Sequence, residues 1–106
     1  MFRVLKAPIF QKKIDKLLDN SELYELEKFI SNIKSGNISG KPLTFDFLRE
    51  KKIGGKRIYF LVYEEVNIVL LVNASNKKYQ QETIDEIKLF LPEFKKYVYE
   101  IYKNKT

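Results

Sequence analysis

Apolar residues recur at helical intervals in the first third of the chain and at alternate positions in the middle third, and that change of period organises everything else. Phe2-Arg3-Val4-Leu5 reads as a short strand that ends at the turn into Ala7-Pro8. Pro8 carries the fixed φ favoured in a first helical turn, and Ile9, Phe10, Ile14, Leu17 and Leu18 follow at helical spacing, which predicts a helix over residues 8–19. Asp19-Asn20-Ser21 interrupts it and offers a cap for a second helix over 21–35. Leu23, Leu26, Ile30 and Ile33 share one face of that helix, and Gly36 is its stop. Residues 1–35 therefore form a strand plus a helical hairpin.

Residues 43–76 read as a three-stranded β-meander. After the turn chemistry of Gly40-Lys41-Pro42, Leu43, Phe45 and Phe47 alternate with Thr44 and Asp46, the pattern of a half-buried strand. Gly54-Gly55 supplies a reversal into Arg57–Tyr63, Glu64-Glu65 supplies another, and Val66 to Ala74 is a nearly continuous apolar run suited to a central strand covered on both faces. On the middle strand Arg57, Tyr59, Leu61 and Tyr63 share a face that we expect to be the functional side, while Ile58, Phe60 and Val62 face the helical hairpin. Ile84, Ile87, Phe90 and Leu91 define a further helix, and Phe94, Val98 and Ile101 continue its period past Pro92, where a break is expected. Residues 80–103 are thus one C-terminal helix or two, with Phe94, Val98 and Ile101 packed on the domain or offered to a partner. The order β-α-α-β-β-β-α makes residues 1–106 a single α+β domain, a small antiparallel sheet packed on the N-terminal hairpin.

Composition narrows the chemistry. The chain contains no Cys and no His, which excludes thiolate nucleophiles, zinc-thiolate and iron–sulfur sites, His-ligated metals and the Ser-His-Asp triad. The acidic residues are spread over helix surfaces and one turn, each near a Lys, so a carboxylate-held metal is not expected and no cofactor is implied. The longest apolar run, Ile68 to Val72, is far short of a membrane span, and MFRVLKAPIF lacks a signal-peptide core, so a cytoplasmic protein is the expectation. The net charge is +6, and residues 36–81 hold its excess, with 8 basic groups against 4 acidic. Arg49-Glu50-Lys51-Lys52-Ile53-Gly54-Gly55-Lys56-Arg57 concentrates five positive charges, and Lys77-Lys78 adds two more. Two of the three arginines bracket that segment, and an arginine offers phosphate the planar fork that lysine lacks. A polyanion is the expected partner, with nucleic acid first among candidates.

Such a cluster can act on RNA without a metal. Cleavage needs a proton taken from the 2′-hydroxyl, stabilisation of the phosphorane and a proton given to the departing 5′-oxygen. A lysine crowded by other cations can serve as base, and Arg57 can hold the developing charge. Adjacent strands could bring Arg49, Lys51, Lys52, Arg57, Lys77 and Lys78 together on one end or face of the meander, with Lys56 a further RNA-binding candidate and Tyr59, Tyr63 and Tyr79 either stacking surfaces for bases or rim and core residues.

The stretch FLREKKIGGKRIYFLVYEEVNIVLLVNASNKKYQQETIDEIKLFL resembles the second half of toxins of the RelE/ParE superfamily, including its HigB-like and archaeal branches. Arg57 opening a strand that ends in Tyr63, the apolar last strand, and Lys77-Lys78 followed by a helix carry the resemblance, which extends over residues 1–91 through the element order. It implies the toxin of a type II toxin–antitoxin pair, a metal-independent endoribonuclease that cuts mRNA on the ribosome. On that analogy Arg57 stabilises the transition state, Lys51 and Lys52 are the basic residues of the preceding strand and Lys78 is the basic residue after the last one. The catalytic tyrosine of the C-terminal helix is replaced by Ile84, leaving three options: Tyr79 substitutes, the lysines carry the acid–base work, or the protein binds without cutting. The partners implied are mRNA, the ribosome and a cognate antitoxin, acidic and ordering on binding. A ParE-like inhibitor of gyrase and a catalytically degenerate RNA- or protein-binding module are the alternatives.

Overall fold

The computed structural model describes residues 1–104. The first strand, β1 (Arg3–Lys6), runs through the buried Ala7 into α1 (Pro8–Leu17), with Pro8 in the opening turn. The second helix, α2 (Asn20–Lys34), is started by a capping box: the Asp19 carboxylate accepts from the Glu22 N–H at 2.8 Å, and Glu22 accepts from the Asp19 N–H at 2.9 Å. Gly36, at φ +94°, takes the left-handed conformation that ends this helix.

The meander differs from the alternation that predicts it. Residues 43–47 are not a strand but the loop of a hairpin between a two-residue strand, β2 (Lys41–Pro42), and β3 (Leu48–Ile53). The Leu43 N–H donates to the Leu48 carbonyl at 2.9 Å, closing the loop, and Phe45 and Phe47 satisfy each other by stacking, with ring centroids 5.1 Å apart. Period-two apolarity here comes from that aromatic pair on a turn. The basic segment itself is the strand, and it is anchored at its ends by Leu48 and Ile53, both fully buried.

Two long strands, β4 (Lys56–Tyr63) and β5 (Ile68–Asn76), form the sheet centre, and Ile68 to Ser75 is buried throughout as its apolarity predicts. The sheet order is β1-β5-β4-β3-β2. All pairings are antiparallel except that β1 lies parallel to β5, with Arg3 beside Ile68, so the α+β class holds with a mixed sheet. Tyr59 pairs with Asn73 and Phe60 with Leu71, leaving Val72 as the extra residue of a bulge. The Asn73 side chain accepts from the Ala74 N–H at 2.8 Å beside that irregularity.

Ile58, Phe60 and Val62 face the hairpin as expected, and the Phe60 ring meets Phe29 of α2 edge-on at 5.3 Å. The opposite face is covered too. After a 3-10 turn at Lys77–Tyr79 come α3 (Gln80–Leu89) and α4 (Leu91–Asn104), with the break at Phe90 and Pro92 in the first turn of α4. Val98 is fully buried and Phe94 and Ile101 half-buried, so this stripe packs on the domain.

Candidate functional site

Strand register decides which basic residues meet. Lys52 of β3 lies opposite Arg57 of β4, which lies opposite Ser75 of β5. The next rung on the same face is Glu50, Tyr59 and Asn73. Beyond Asn76, which pairs with Lys56, the chain enters the turn that carries Lys77, Lys78 and Tyr79, all exposed, with the Lys78 ammonium 5.5 Å from the Tyr79 ring centre. The Asn76 side chain accepts from the Tyr79 N–H at 3.2 Å and holds that turn. The same end of the sheet thus carries Lys52, Arg57, Lys77, Lys78 and Tyr79.

The remaining basic residues lie elsewhere. Arg49 and Lys51 alternate onto the hairpin side of β3. Arg49 Nε donates to the Asp46 carbonyl at 3.0 Å, and Lys51 Nζ reaches Ser39 Oγ at 3.3 Å while standing 5.6 Å from the Phe29 ring centre. Lys56 Nζ bonds both carboxylate oxygens of Glu22 at 3.2 Å, a tie between β4 and the start of α2. Of the expectation that the cluster meets at one end or face of the meander, the pleat rules out a single face.

The tyrosines are corrected as well. Tyr59 is fully buried and shares a 2.9 Å hydrogen bond with Ser75 Oγ, and Tyr63 is buried against Tyr99 of α4 with centroids 6.5 Å apart. Neither presents a ring face to a base. Burial raises the Tyr59 hydroxyl above its ordinary range, only partly offset by the Ser75 hydrogen bond, and it raises Tyr63 further, with the Glu65 charge adding to the effect. Of the three, Tyr79 alone offers an exposed ring.

Arg57 is 8% exposed, deeper than the sequence implies. Its nearest carboxylate is Glu50, itself 4% exposed, with Oε1 3.9 Å from Arg57 Nε. Glu50 Oε1 accepts instead from Gln80 Nε2 at the first residue of α3, and Arg57 Nε has no hydrogen-bond partner. An unbonded N–H in a buried guanidinium is costly, of order 1–3 kcal/mol, and the charge of the Glu50 carboxylate 3.9 Å away offsets part of that cost. Glu50, Ser75 and Gln80 escape the sequence reading because they are 25 or more residues apart at two of the three intervals and carry no motif; the one signal is Glu50 as the single acid within the basic segment. Among the described residues no group of three or more His, Cys, Asp or Glu side chains could hold a metal ion.

No protein-family model matches the sequence, and no curated protein is significantly similar to it. Solved structures are. The isolated RelE toxin of E. coli superposes with a TM-score of 0.59 at 16% identity, over 82% of this chain and 99% of that one. The toxin–antitoxin complex RelBE2 of Mycobacterium tuberculosis matches with a TM-score of 0.58 at 16% identity, over 72% of this chain and 98% of the other. A copper-bound mutant toxin of Helicobacter pylori matches with a TM-score of 0.54 at 20% identity, over 74% and 97%. These identities speak for backbone architecture, and in that architecture the chain has the fold of the RelE toxins.

Proposed function

We propose that the protein is the toxin of a type II toxin–antitoxin pair and that it cleaves mRNA on the ribosome without a metal. The observation that carries this reading is the strand register that sets Lys52 opposite Arg57 at the sheet end where β5 delivers Lys77, Lys78 and Tyr79. The RelE fold supports the toxin role.

In this reading Lys52 takes the proton of the 2′-hydroxyl, which attacks the adjacent phosphorus. The guanidinium of Arg57 donates to a phosphorane oxygen, and Lys78 or Tyr79 returns a proton to the 5′-oxygen as its bond to phosphorus breaks. The products are a 2′,3′-cyclic phosphate and a 5′-hydroxyl. Lys77 holds a flanking phosphate and the Tyr79 ring stacks on an unpaired base.

Ile84 favours a second reading. It is buried in α3 and cannot replace a catalytic tyrosine, so a protein that binds RNA or a protein target without cutting retains the same face. Controlled expression of wild type and Arg57→Ala, with growth followed and RNA 5′ ends mapped, separates the two. Growth arrest with new ends inside coding regions, absent in the variant, supports the nuclease. Arrest without new ends moves the assignment to a bound target such as gyrase, and growth without arrest from folded protein overturns the toxin reading.

A further inference from the structure

Helix α2 and strand β3 border a small polar cavity on the hairpin side of the sheet, away from the face that carries Lys52. Glu25, Lys28, Phe29 and Asn32 stand at i, i+3, i+4 and i+7, one face of α2, and Lys51 and Ile53 alternate onto the same side of β3. With Ser39, from the connection between α2 and β2, they line about 250 Å³. That volume falls below the roughly 300–1,000 Å³ of a site for a drug-sized molecule and suits a smaller ligand.

Its donors outnumber its acceptors. The half-buried Lys51 ammonium donates to Ser39 Oγ at 3.3 Å and stands 5.6 Å from the Phe29 ring centre, and Lys28 Nζ stands 5.6 Å from the Tyr24 ring centre. Neither ammonium forms an ion pair with a carboxylate among the described residues, although Glu25 lines the same cavity. The Ser39 hydroxyl, an acceptor for Lys51, keeps its own hydrogen to donate, and the Asn32 side-chain amide is a further donor. Phe29 and Ile53, 3% and 1% exposed, put apolar walls beside these charges and strengthen their pull on an anion. Two ammonium groups against one carboxylate leave a single positive charge, the complement of one singly ionised phosphate, while Glu25 repels phosphate oxygens and attracts a hydroxyl. We propose that this cavity binds a phosphorylated ribose unit, with its phosphate on Lys28, Lys51 and Ser39 and a sugar hydroxyl donating to Glu25. A free sugar phosphate and one nucleotide of an RNA strand carry the same groups, and neither source requires that the protein cut RNA.

The test follows the backbone amide signals of Asn32 and Ser39 by NMR while ribose 5-phosphate, or a short unstructured oligoribonucleotide, is titrated into the whole chain. A saturable shift is expected, with affinity about tenfold or more weaker in Lys28→Met/Lys51→Met, which keeps the apolar stems, and within about twofold of wild type in Lys12→Met/Lys13→Met, which removes the same charge from α1. Inorganic phosphate is expected to bind less tightly than ribose 5-phosphate, and an oligodeoxyribonucleotide less tightly than its ribose counterpart, with Glu25→Ala erasing the preference. Shifts with the oligoribonucleotide identify an RNA strand as a source, and shifts with ribose 5-phosphate alone identify the free sugar phosphate. No saturable shift with either probe, equal weakening by the two lysine pairs, or a preference that survives Glu25→Ala overturns the proposal. Cleavage is not measured, so failure here leaves the nuclease reading standing, and failure of that reading leaves this site standing.

Discussion

Glu50 Oε1 stands 3.9 Å from Arg57 Nε while accepting a hydrogen bond from Gln80, so one buried carboxylate neutralises the arginine and fastens the start of α3. Removing it strands a buried cation. Glu50→Ala is expected to cost about 3 kcal/mol or more in urea unfolding, and Glu50→Gln, which keeps an acceptor for Gln80, clearly less. Equal losses would mean that the charge on Glu50 accounts for its whole contribution and the hydrogen bond to Gln80 adds nothing.

Lys52 and Arg49 lie three residues apart on β3 and on opposite sides of the sheet. In the proposed role, Lys52→Ala is expected to reduce RNA cutting by about a hundredfold, and Arg49→Ala to leave it within about twofold, with both proteins folded. Mapping of RNA ends after matched expression checks this, and the reverse ranking would move the site to the hairpin face.

That contrast marks how far the sequence is legible. Helical period, Pro8 and the Asp19 cap place α1 and α2 within two residues, and the apolar run places β5, because each signal is local. The alternation of Leu43, Phe45 and Phe47 misleads because a stacked pair on a hairpin loop repeats with the same period as a strand. β3 stays hidden because only its ends are apolar, and its charged middle is held by β4 rather than by its own pattern. The Glu50–Arg57–Gln80 cluster depends on register between segments that no local rule connects.

Alkaline pH should unfold the protein through its buried phenols. Tyr59 and Tyr63 are held above the ordinary tyrosine value of 10.0, chiefly by burial. The unfolded chain therefore loses these protons first. Their contribution to stability is fully present below pH about 10 and is lost as pH rises above it. Tyr63→Phe should flatten the fall in unfolding free energy there, and an unchanged slope would show that Tyr63 already ionises normally when folded.

The β3–β4 turn separates two adjacent glycines. Gly54 sits at φ +59°, where an added Cβ would strike the Glu22 carboxylate that caps α2 and holds Lys56, whereas a Cβ on Gly55 would meet nothing within 4 Å. Gly54→Ala should lose about 1–2 kcal/mol, and Gly55→Ala should stay within about 0.5 kcal/mol of wild type. Thermal melts of the pair decide it, and similar melting points would mean that the turn relaxes freely.

Because β1 lies beside β5, β1 has no strand partner during synthesis until residues near Ile68 have been made. Until then the emerging chain lacks its central strand, and Arg57 lacks the neighbour that carries Ser75 and leads to Lys77 and Lys78. In the proposed role, a fragment that ends before β5 holds Lys52 and Arg57 without Ser75, Lys77 and Lys78 and is expected to be inert.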